Sequence, residues 1–377
     1  MFSGCDFFDE NNNQISPHTI KKFELISEYV KAWVYKLLNY SQCNGVVYID
    51  CMSNNGIYHD KAGNTIEGTP ILVTRIIADA MKEHTEKNAY LYFNDIDKKR
   101  IETLKQNLPT VGPNVHVLTR DIDGNDLLRE ISSRFNEFPN MNFLLVYDPY
   151  QASIDWEAIM PYLRNWGEVI LNHMISDPIR GAKMAKRPES IEKYENTYLT
   201  SIEQLVSFGS DKAAFEKRIK EIILALSQKA NRKKYYIASY PFFNTANTVV
   251  YNLIHCTSNI EGFKLYKKTA WKTFGDKSSM KDTHGKENQL SFDFDSNEPT
   301  YSIQSDAYCY YLDDIAAYVQ NEFCGRKDVP LNEIWNMLDE HPVFTAVPYK
   351  TQIKSLLESV YSAKVGKSSI TFTDRKG

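Results

Sequence analysis

Four acidic residues follow apolar segments in the first half of the chain: Asp50, Asp95, Asp121 and Asp148. The apolar segments are nearly continuous runs of β-branched and aromatic residues, which predict strands buried on both faces. A carboxylate accepts hydrogen bonds from amines and hydroxyls, so four of them at one sheet edge would suit a ligand rich in such donors. A single acid in this position is more often a helix cap or a surface residue, but their repetition favours a binding pocket.

The elements that would position these acids alternate between strand and helix over residues 45–173. Five β-α units in succession predict an α/β fold with a doubly wound, mostly parallel sheet. Ligands bind such sheets at the carboxyl ends of the strands, where the strand order reverses. A later predicted β-hairpin over residues 233–259 would bring the sheet to seven strands. The five parallel strands are predicted in the segments GVVYIDC, NAYLYFND, NVHVLT, NFLLVYDP and GEVILNH.

The loop after the first strand, residues 51–56, has the layout of a nucleotide-cofactor site but contains only one glycine, Gly56. A nicotinamide site needs a G-x-G-x-x-G pattern to bring the pyrophosphate onto a helix N-terminus, and this loop lacks it. S-Adenosylmethionine has no pyrophosphate and tolerates looser glycine spacing, so it is the predicted cofactor. Ser53 and Asn54 are predicted to line its site, and asparagine tolerates a left-handed backbone well.

Each acid has a candidate role at such a site. Asp95 can accept both ribose hydroxyls, and Asp121 can accept from an exocyclic adenine amine. Asp50 can orient the loop or bind the amino group of an amino-acid moiety. Asp97, two residues beyond Asp95, is predicted instead to cap the next helix.

The fourth strand leads into Asp148, Pro149 and Tyr150. The carboxylate and a backbone carbonyl of such a turn can accept the hydrogens of an amine that is about to be methylated, while the ring stacks on a planar target. These three residues are the predicted catalytic group. Taken alone, the tripeptide is equally well explained as a simple turn.

Around the sheet, the pattern divides the chain into four parts. Residues 1–45 contain a long amphipathic helix, predicted over Thr19–Tyr40, that packs on the core. Residues 46–275 form the sheet domain, with a helical insert at about 173–233. Residues 276–300 are polar and are predicted to be a linker.

Residues 301–377 show three helical segments followed by a hairpin-like tail, which is the winged-helix arrangement. From His341 onward six basic residues stand against two acidic ones, although the whole chain has a net charge of −4. This segment is therefore a candidate nucleic-acid surface, although winged helices also bind proteins. A basic stretch in the helical insert could contribute as well, with a solvated helix face as its alternative. The predicted nucleic-acid contacts are Lys350, Lys354, Lys364, Lys367, Arg180 and Lys183.

Composition narrows the remaining classes. The six cysteines show neither a disulfide framework nor zinc-ligand spacing, which suits a reducing cytoplasm. The sequence predicts no signal peptide, no membrane span and no metal site. The expected location is therefore the cytoplasm.

Five motifs, in this order and spacing, resemble those of the three-Cys-motif partner (TcmP) proteins. They are YIDCMSNNG (48–56), GTP (68–70), FNDID (93–97), RDIDGND (120–126) and LVYDPYQ (145–151). The resemblance covers roughly residues 15–275 and implies a class I methyltransferase-like Rossmann domain. It also implies S-adenosylmethionine as cofactor and a radical-SAM-like protein with three cysteines as partner. In the first loop the family's A-G-P-G is replaced by Ser53-Asn54-Asn55-Gly56, which leaves Gly56 as the one glycine.

Two functions remain open from the sequence. The first is a methyltransferase acting on a base amine of DNA or RNA, in a mobile-element or phage-defence setting that only the resemblance suggests. The second is a catalytically inactive protein of the same fold that binds nucleic acid or a protein partner. The glycine-poor loop motivates the second.

Overall fold

The computed structural model describes residues 15–149, 153–230, 234–244, 248–281 and 309–374. Tyr150 and most of the predicted linker lie outside these ranges. The chain divides into two compact units, residues 1–172 and residues 173–377. The predicted domain boundaries at 45, 275 and 300 stay predictions.

The central sheet is mixed but mostly parallel, and it has seven strands in the order β5-β4-β1-β6-β7-β9-β8. Its parallel strands end within two residues of the predicted positions, because each is a largely apolar run. A short hairpin, β2–β3, follows the first strand and was not predicted, since each of its strands has only three residues. The strands of the chain as far as β9 are β1 (Gly45–Asp50), β2 (Ile57–His59), β3 (Thr65–Glu67), β4 (Asn88–Asn94), β5 (Val115–Arg120), β6 (Met141–Tyr147), β7 (Gly167–Met174), β8 (Tyr236–Phe243) and β9 (Val249–Thr257).

The helices of the first unit begin at residues that suit helix starts. The Ser16 side chain accepts from the Thr19 amide and Pro17 stands in the first turn of α1, so this helix begins two residues before its predicted start. Asp97 caps α3 by accepting from the Lys99 amide, as predicted. The helices are α1 (Pro17–Leu38), α2 (Thr69–Met81), α3 (Lys98–Asn107), α4 (Gly124–Ser133) and α5 (Trp156–Arg164).

Helix α1 is fixed on the sheet by polar contacts within an apolar interface. The Tyr29 hydroxyl donates to the Glu168 carboxylate of β7. Four residues further on, the Trp33 indole donates to Asn142 Oδ1 of β6 at 2.9 Å. All four side chains are buried. Because buried donors and acceptors must be paired, these two contacts set both the position and the rotation of α1.

The second unit holds the helical insert, the β8–β9 hairpin and the C-terminal elements. Strands β8 and β9 pair in antiparallel register from Tyr236 opposite Thr257. Three short strands near the C-terminus form a sheet in the order β10-β12-β11. The elements are α6 (Ser176–Met184), α7 (Pro188–Tyr198), α8 (Ile202–Ser207), α9 (Lys212–Ala230), α10 (Ile260–Thr273), α11 (Leu312–Glu322), β10 (Val329–Pro330), α12 (Leu331–Glu340), α13 (Lys350–Ser359), β11 (Lys364–Val365) and β12 (Ser369–Thr371).

A buried lysine joins α10 to the turn after α12. Lys267 is fully buried, and its Nζ donates to four backbone carbonyls at 2.6 to 2.9 Å. These carbonyls belong to Leu338, Asp339, His341 and Phe344. Burial lowers the pKa of Lys267 to about 7. The charge of the Asp339 carboxylate acts in the opposite direction, and the four carbonyl oxygens satisfy the N–H donors of the buried ammonium.

Within the described ranges, no helix combines the length and the apolar character that a membrane crossing requires.

Candidate functional site

The strand order reverses between β1 and β6, and this reversal defines the candidate site. Strand β1 pairs in parallel with β4 on one side and with β6 on the other. The chain first builds outward through β4 and β5 and then returns to place β6 on the opposite side of β1. The connection that leaves β1 and the connection that leaves β6 therefore run in opposite directions along the sheet. They leave a crevice at the carboxyl ends of these two strands, where doubly wound sheets bind ligands. Asp50 ends β1 and Asp148 follows β6.

The loop after β1 is held against the end of β4. Ser53 is buried and donates to the Asn94 carbonyl twice, from its amide at 2.7 Å and from its hydroxyl at 3.1 Å. The Asn54 amide donates to Asp95 Oδ2 at 3.1 Å. Asp95 Oδ1 accepts from the Asp97 amide at 2.9 Å, and Arg100 lies 3.6 Å from Oδ2. Asp95 thus fixes the loop and keeps further acceptor positions on both oxygens.

Two residues of this loop adopt the left-handed backbone that the sequence predicted it would need. Asn54 has a φ of 56° and Gly56 has a φ of 76°. A Cβ on Gly56 would lie 2.7 Å from Leu104 Cδ1 and 3.2 Å from Ile71 Cδ1. The glycine is therefore required by the backbone turn and by close packing against α2 and α3. Asparagine at position 54 is compatible with this turn, because it is the non-glycine residue that best tolerates a left-handed backbone.

Asn94 connects three strand ends and was missing from the predicted site. Its Nδ2 donates to the Cys51 carbonyl at 3.1 Å and to the Ile122 carbonyl at 2.9 Å. Its Oδ1 accepts from the Ile122 amide at 3.2 Å. The side chain is 1% exposed. A polar residue ending an apolar strand was the only sequence signal, because its partners lie 43 and 28 residues away.

Asp50 is the most perturbed carboxyl group of the site. It is 3% exposed, and it accepts from the Met52 amide at 3.2 Å and from the Thr69 hydroxyl at 3.5 Å. Burial raises its pKa to about 7, and the charges of Asp148 and Asp95 add to the rise. The Met52 amide and the Lys22 ammonium act in the opposite direction. A carboxyl group with so few donors can accept more from a ligand.

Asp148 is engaged on both oxygens. Lys22 of α1 donates to Oδ2 at 2.6 Å, and Asn172 near the end of β7 donates to Oδ1 at 2.5 Å. Pro149 is buried beside it, and Tyr150 lies outside the described residues. No local pattern predicted Lys22 here, because Lys22 and Asp148 are 126 residues apart.

The structure does not bring every predicted acid into this group. Asp121 is exposed just after β5, and Asp123 is the residue that caps α4. The predicted site residues that do lie at the carboxyl ends of β1, β4 and β6 are Asp50, Ser53, Asn54, Gly56, Asp95 and Asp148. The three gathered acids face two bases, Lys22 and Arg100, so the site favours a ligand that carries positive charge and hydrogen-bond donors.

The predicted nucleic-acid contacts lie in the second unit. Lys350 and Lys354 share one face of α13, with their ammonium groups 5.3 and 5.9 Å from the centre of the Trp335 ring. Lys364 and Lys367 are exposed on the hairpin that carries β11 and β12, and Arg180 and Lys183 are exposed on α6. Trp335, itself only 8% exposed, therefore holds two cations together at a surface.

Two clefts in the first unit lie away from the strand ends that carry the acids. One of about 370 Å³ is lined by residues that include Lys82 and Asn114, and one of about 590 Å³ includes Asn88 and Met141. Asn88 and Met141 begin β4 and β6, so the larger cleft lies at the amino ends of the strands. Parallel strands direct their carboxyl ends to the opposite edge, where the acids are.

No family model and no curated protein matches the chain. Among solved structures, the chain is similar to protein LPL1258 from Legionella pneumophila str. Philadelphia 1, which carries the family-model name DUF519. The match covers 67% of this chain and 92% of that chain, at 12% identity and a TM-score of 0.37. A likeness this low carries no argument about function.

Proposed function

We propose that the protein is an S-adenosylmethionine-dependent methyltransferase that acts on an amine of a nucleic-acid base. The observation that carries the proposal is the grouping of Asp50, Asp95 and Asp148 around the point where the strand order reverses. S-Adenosylmethionine bears a sulfonium and an ammonium, and its ribose has two hydroxyls. A crevice with three carboxylates and few donors fits that pattern of charge and hydrogen bonding.

The residues present can divide the work. Asp95 would accept from the ribose hydroxyls with the acceptor positions that remain on its oxygens. Asp50 would accept from the cofactor's ammonium group, and Ser53, Asn54 and Gly56 would shape the loop around it. The exposed Asp121 would accept from the adenine amine at the outer edge. The bound cofactor supplies an activated methyl group.

Asp148 would hold the target amine. Its carboxylate accepts an N–H of the amine and so orients the nitrogen lone pair for in-line attack. As the nitrogen gained the methyl carbon, the methyl–sulfur bond would break with its electron pair remaining on sulfur, and the Asp148 carboxylate would take up the proton that the nitrogen releases. Pro149 fixes the turn, and Tyr150 would stack on the base. A target within a duplex would have to be turned out of the base stack.

Nucleic-acid affinity would come from the C-terminal elements, interpreted as a winged-helix module. The order of elements from α11 to β12 supports this interpretation, with α13 as the helix that enters a groove. Its exposed face carries Thr351, Gln352 and Ser355, beside the cations Lys350 and Lys354. Lys364 and Lys367 on the β11–β12 hairpin would contact phosphate, and Arg180 and Lys183 of α6 would add to it.

The test is transfer of labelled methyl from S-adenosylmethionine to DNA and, separately, to RNA. We expect incorporation into one of them, and a loss of at least about a hundredfold with Asp148→Asn, because the amine would be misplaced. Asp79→Asn, the same substitution at an exposed acid of α2 that pairs with Lys82, serves as the matched control and should change incorporation little. Nucleic-acid binding without incorporation would refute the proposal.

One observation favours a second function, a binding protein without turnover. Both oxygens of Asp148 already have partners inside the chain, so a target amine must compete for them. Calorimetry separates the two functions at the cofactor step. We expect S-adenosylmethionine to bind and Asp95→Ala to abolish binding; no binding at millimolar ligand would favour the second function. The radical-SAM-like three-Cys protein implied by the resemblance would be a partner in either case, and co-purification tests it.

A further inference from the structure

The contact between Lys22 and Asp148 has the features of a filled binding position. The Lys22 side chain is 12% exposed and the Asp148 side chain is 32% exposed. The ammonium nitrogen lies 2.6 Å from Asp148 Oδ2. A lysine ammonium is a primary amine, and it reaches the carboxylate from solvent-accessible space. Its hydrogens therefore point at the oxygen that an incoming amine would also use.

The contacts that hold α1 on the sheet also place Lys22 beside Asp148, at the carboxyl end of β6. Trp33 is bonded to Asn142 near the start of β6, and Tyr29 is bonded to Glu168 of β7. From Trp33 back to Lys22, α1 rises roughly 16 Å, at about 1.5 Å per residue. From Asn142 to Asp148, the strand advances roughly 20 Å, at about 3.3 Å per residue. The helix thus runs antiparallel to the strand and delivers Lys22 to its carboxyl end.

Asn172 supplies a second, independent observation. It is 4% exposed, and its Nδ2 donates to Asp148 Oδ1 at 2.5 Å. Its Oδ1 is buried and has no hydrogen-bond partner among the residues that the structure describes. An unpaired buried acceptor costs free energy, so a donor from a ligand would be favoured there. Asp148 and Asn172 together offer two acceptors to one nitrogen with two hydrogens.

We propose that Asp148 and Asn172 form a subsite for a primary amine, and that Lys22 is its resident occupant, which the target amine displaces. This proposal rests on the proposed function for the identity of the target, an exocyclic base amine. The lysine stem has four flexible carbons, so the ammonium can move into water while α1 stays in place. The carboxylate then exchanges one N–H donor for another. Asn172 Oδ1 accepts the second hydrogen of the new amine.

The experiment is chemical rescue of a shortened lysine. Lys22→Ala removes the occupant, and the probe is propylammonium chloride, a primary amine of similar reach. We expect propylammonium to raise the melting temperature of Lys22→Ala by about 2 °C or more, because a ligand that binds the folded state stabilises it. Tetramethylammonium chloride at equal concentration, which has no N–H, should not. Lys22→Ser is the second variant if Lys22→Ala does not fold.

Two controls make the result specific. Wild-type protein should show no rise, because Lys22 already fills the subsite, and the double variant Lys22→Ala with Asp148→Asn should show none, because the acceptor is lost. Lys21→Ala, which removes an exposed pair with Glu24, should behave as wild type. Equal rises with both ammonium salts, or no rise with propylammonium, would overturn the subsite.

The rescue needs neither cofactor nor nucleic acid, so it fails separately from the proposed function. Rescue by propylammonium in a protein that transfers no methyl group would support the subsite and refute the methyltransferase. Methyl transfer without rescue would refute the subsite and leave the methyltransferase standing.

Discussion

Two clusters of buried polar groups in this protein, one around Lys267 and one around Asp50, differ in how many hydrogen-bond partners the charged group has. In the second unit, Lys267 is surrounded by four carbonyl oxygens, all within hydrogen-bond distance. In the first unit, Asp50 has one amide at 3.2 Å and one hydroxyl at 3.5 Å, and its pKa is raised by burial first and by two other carboxylates second. The lysine ammonium has an acceptor for each of its three N–H hydrogens, whereas the aspartate has few donors.

The difference separates a structural role from a functional one. A buried charge with its hydrogen bonds complete stabilises one arrangement of the chain and has no capacity for a ligand. A buried carboxyl group with few donors destabilises the fold, and a ligand that brings donors can recover that free energy. Burial and a shifted pKa occur in both clusters, so the number of partners is the informative quantity.

The largest expected effect on stability is at the Lys267 cluster, where the buried ammonium has its full set of hydrogen-bond acceptors. Lys267→Met should lower the free energy of unfolding by about 3–5 kcal/mol, because several buried carbonyls lose their donor. Urea unfolding followed by far-UV circular dichroism measures it. Lys264→Met, which removes a partly exposed pair with Glu261 and Asp339, is the matched control and should cost less than about 1 kcal/mol. A loss of stability in Lys267→Met no larger than that in Lys264→Met would contradict the difference between the two clusters.

Asn94 tests whether a buried side chain with a complete set of hydrogen bonds also stabilises the fold inside the candidate site. Asn94→Ala should destabilise by about 2–3 kcal/mol, because Cys51 and Ile122 lose buried partners. Asn55→Ala removes one bond to the Ile57 amide and should cost about 1 kcal/mol or less. Thermal unfolding of both variants gives the difference, and equal losses would contradict the role of Asn94 in joining strand ends.

Substitution of Asp50 should stabilise the fold at high pH, whereas the substitutions of Lys267 and Asn94 should destabilise it. Its folded pKa of about 7 lies above the ordinary value of 3.8, so its stabilising contribution is complete below about pH 4 and is lost as pH rises through 7. Asp50→Asn should therefore raise the free energy of unfolding by about 2 kcal/mol at pH 8, with little change at pH 4. It should also weaken S-adenosylmethionine binding. Melting temperatures from pH 4 to 8 provide the test, and destabilisation at pH 8 would contradict it.

The smallest effect concerns the surface cations. Lys350→Ala and Lys354→Ala should each reduce the salt dependence of nucleic-acid binding by about one unit of slope, because each removes one phosphate contact. Melting temperatures should stay within about 2 °C of wild type, since both side chains lie at the surface. Fluorescence anisotropy at several salt concentrations measures the slope. An unchanged slope would point to a protein partner for this face.

Sequence patterns found the elements whose signal is local. The five parallel strands are largely apolar runs, and α1 has an apolar stripe beginning after a serine cap. Helix α10 was missed because the buried Lys267 interrupts its apolar face, and a lysine in a sequence is normally counted as exposed. The insert was predicted to be helical, but the separate helices at its start were not specified because they lack a clear apolar stripe.

The sequence by itself determined the α/β alternation, the acids at the strand ends and the left-handed turn at Asn54. These follow from local preferences of the backbone and from the carboxyl ends of parallel strands meeting at one edge. Only the tertiary structure decided which acids are buried together, that Asn94 joins three strand ends, and that Lys22 reaches Asp148. Those contacts join residues 28 to 126 positions apart, and their partners are set by packing across the sheet, which no local pattern records.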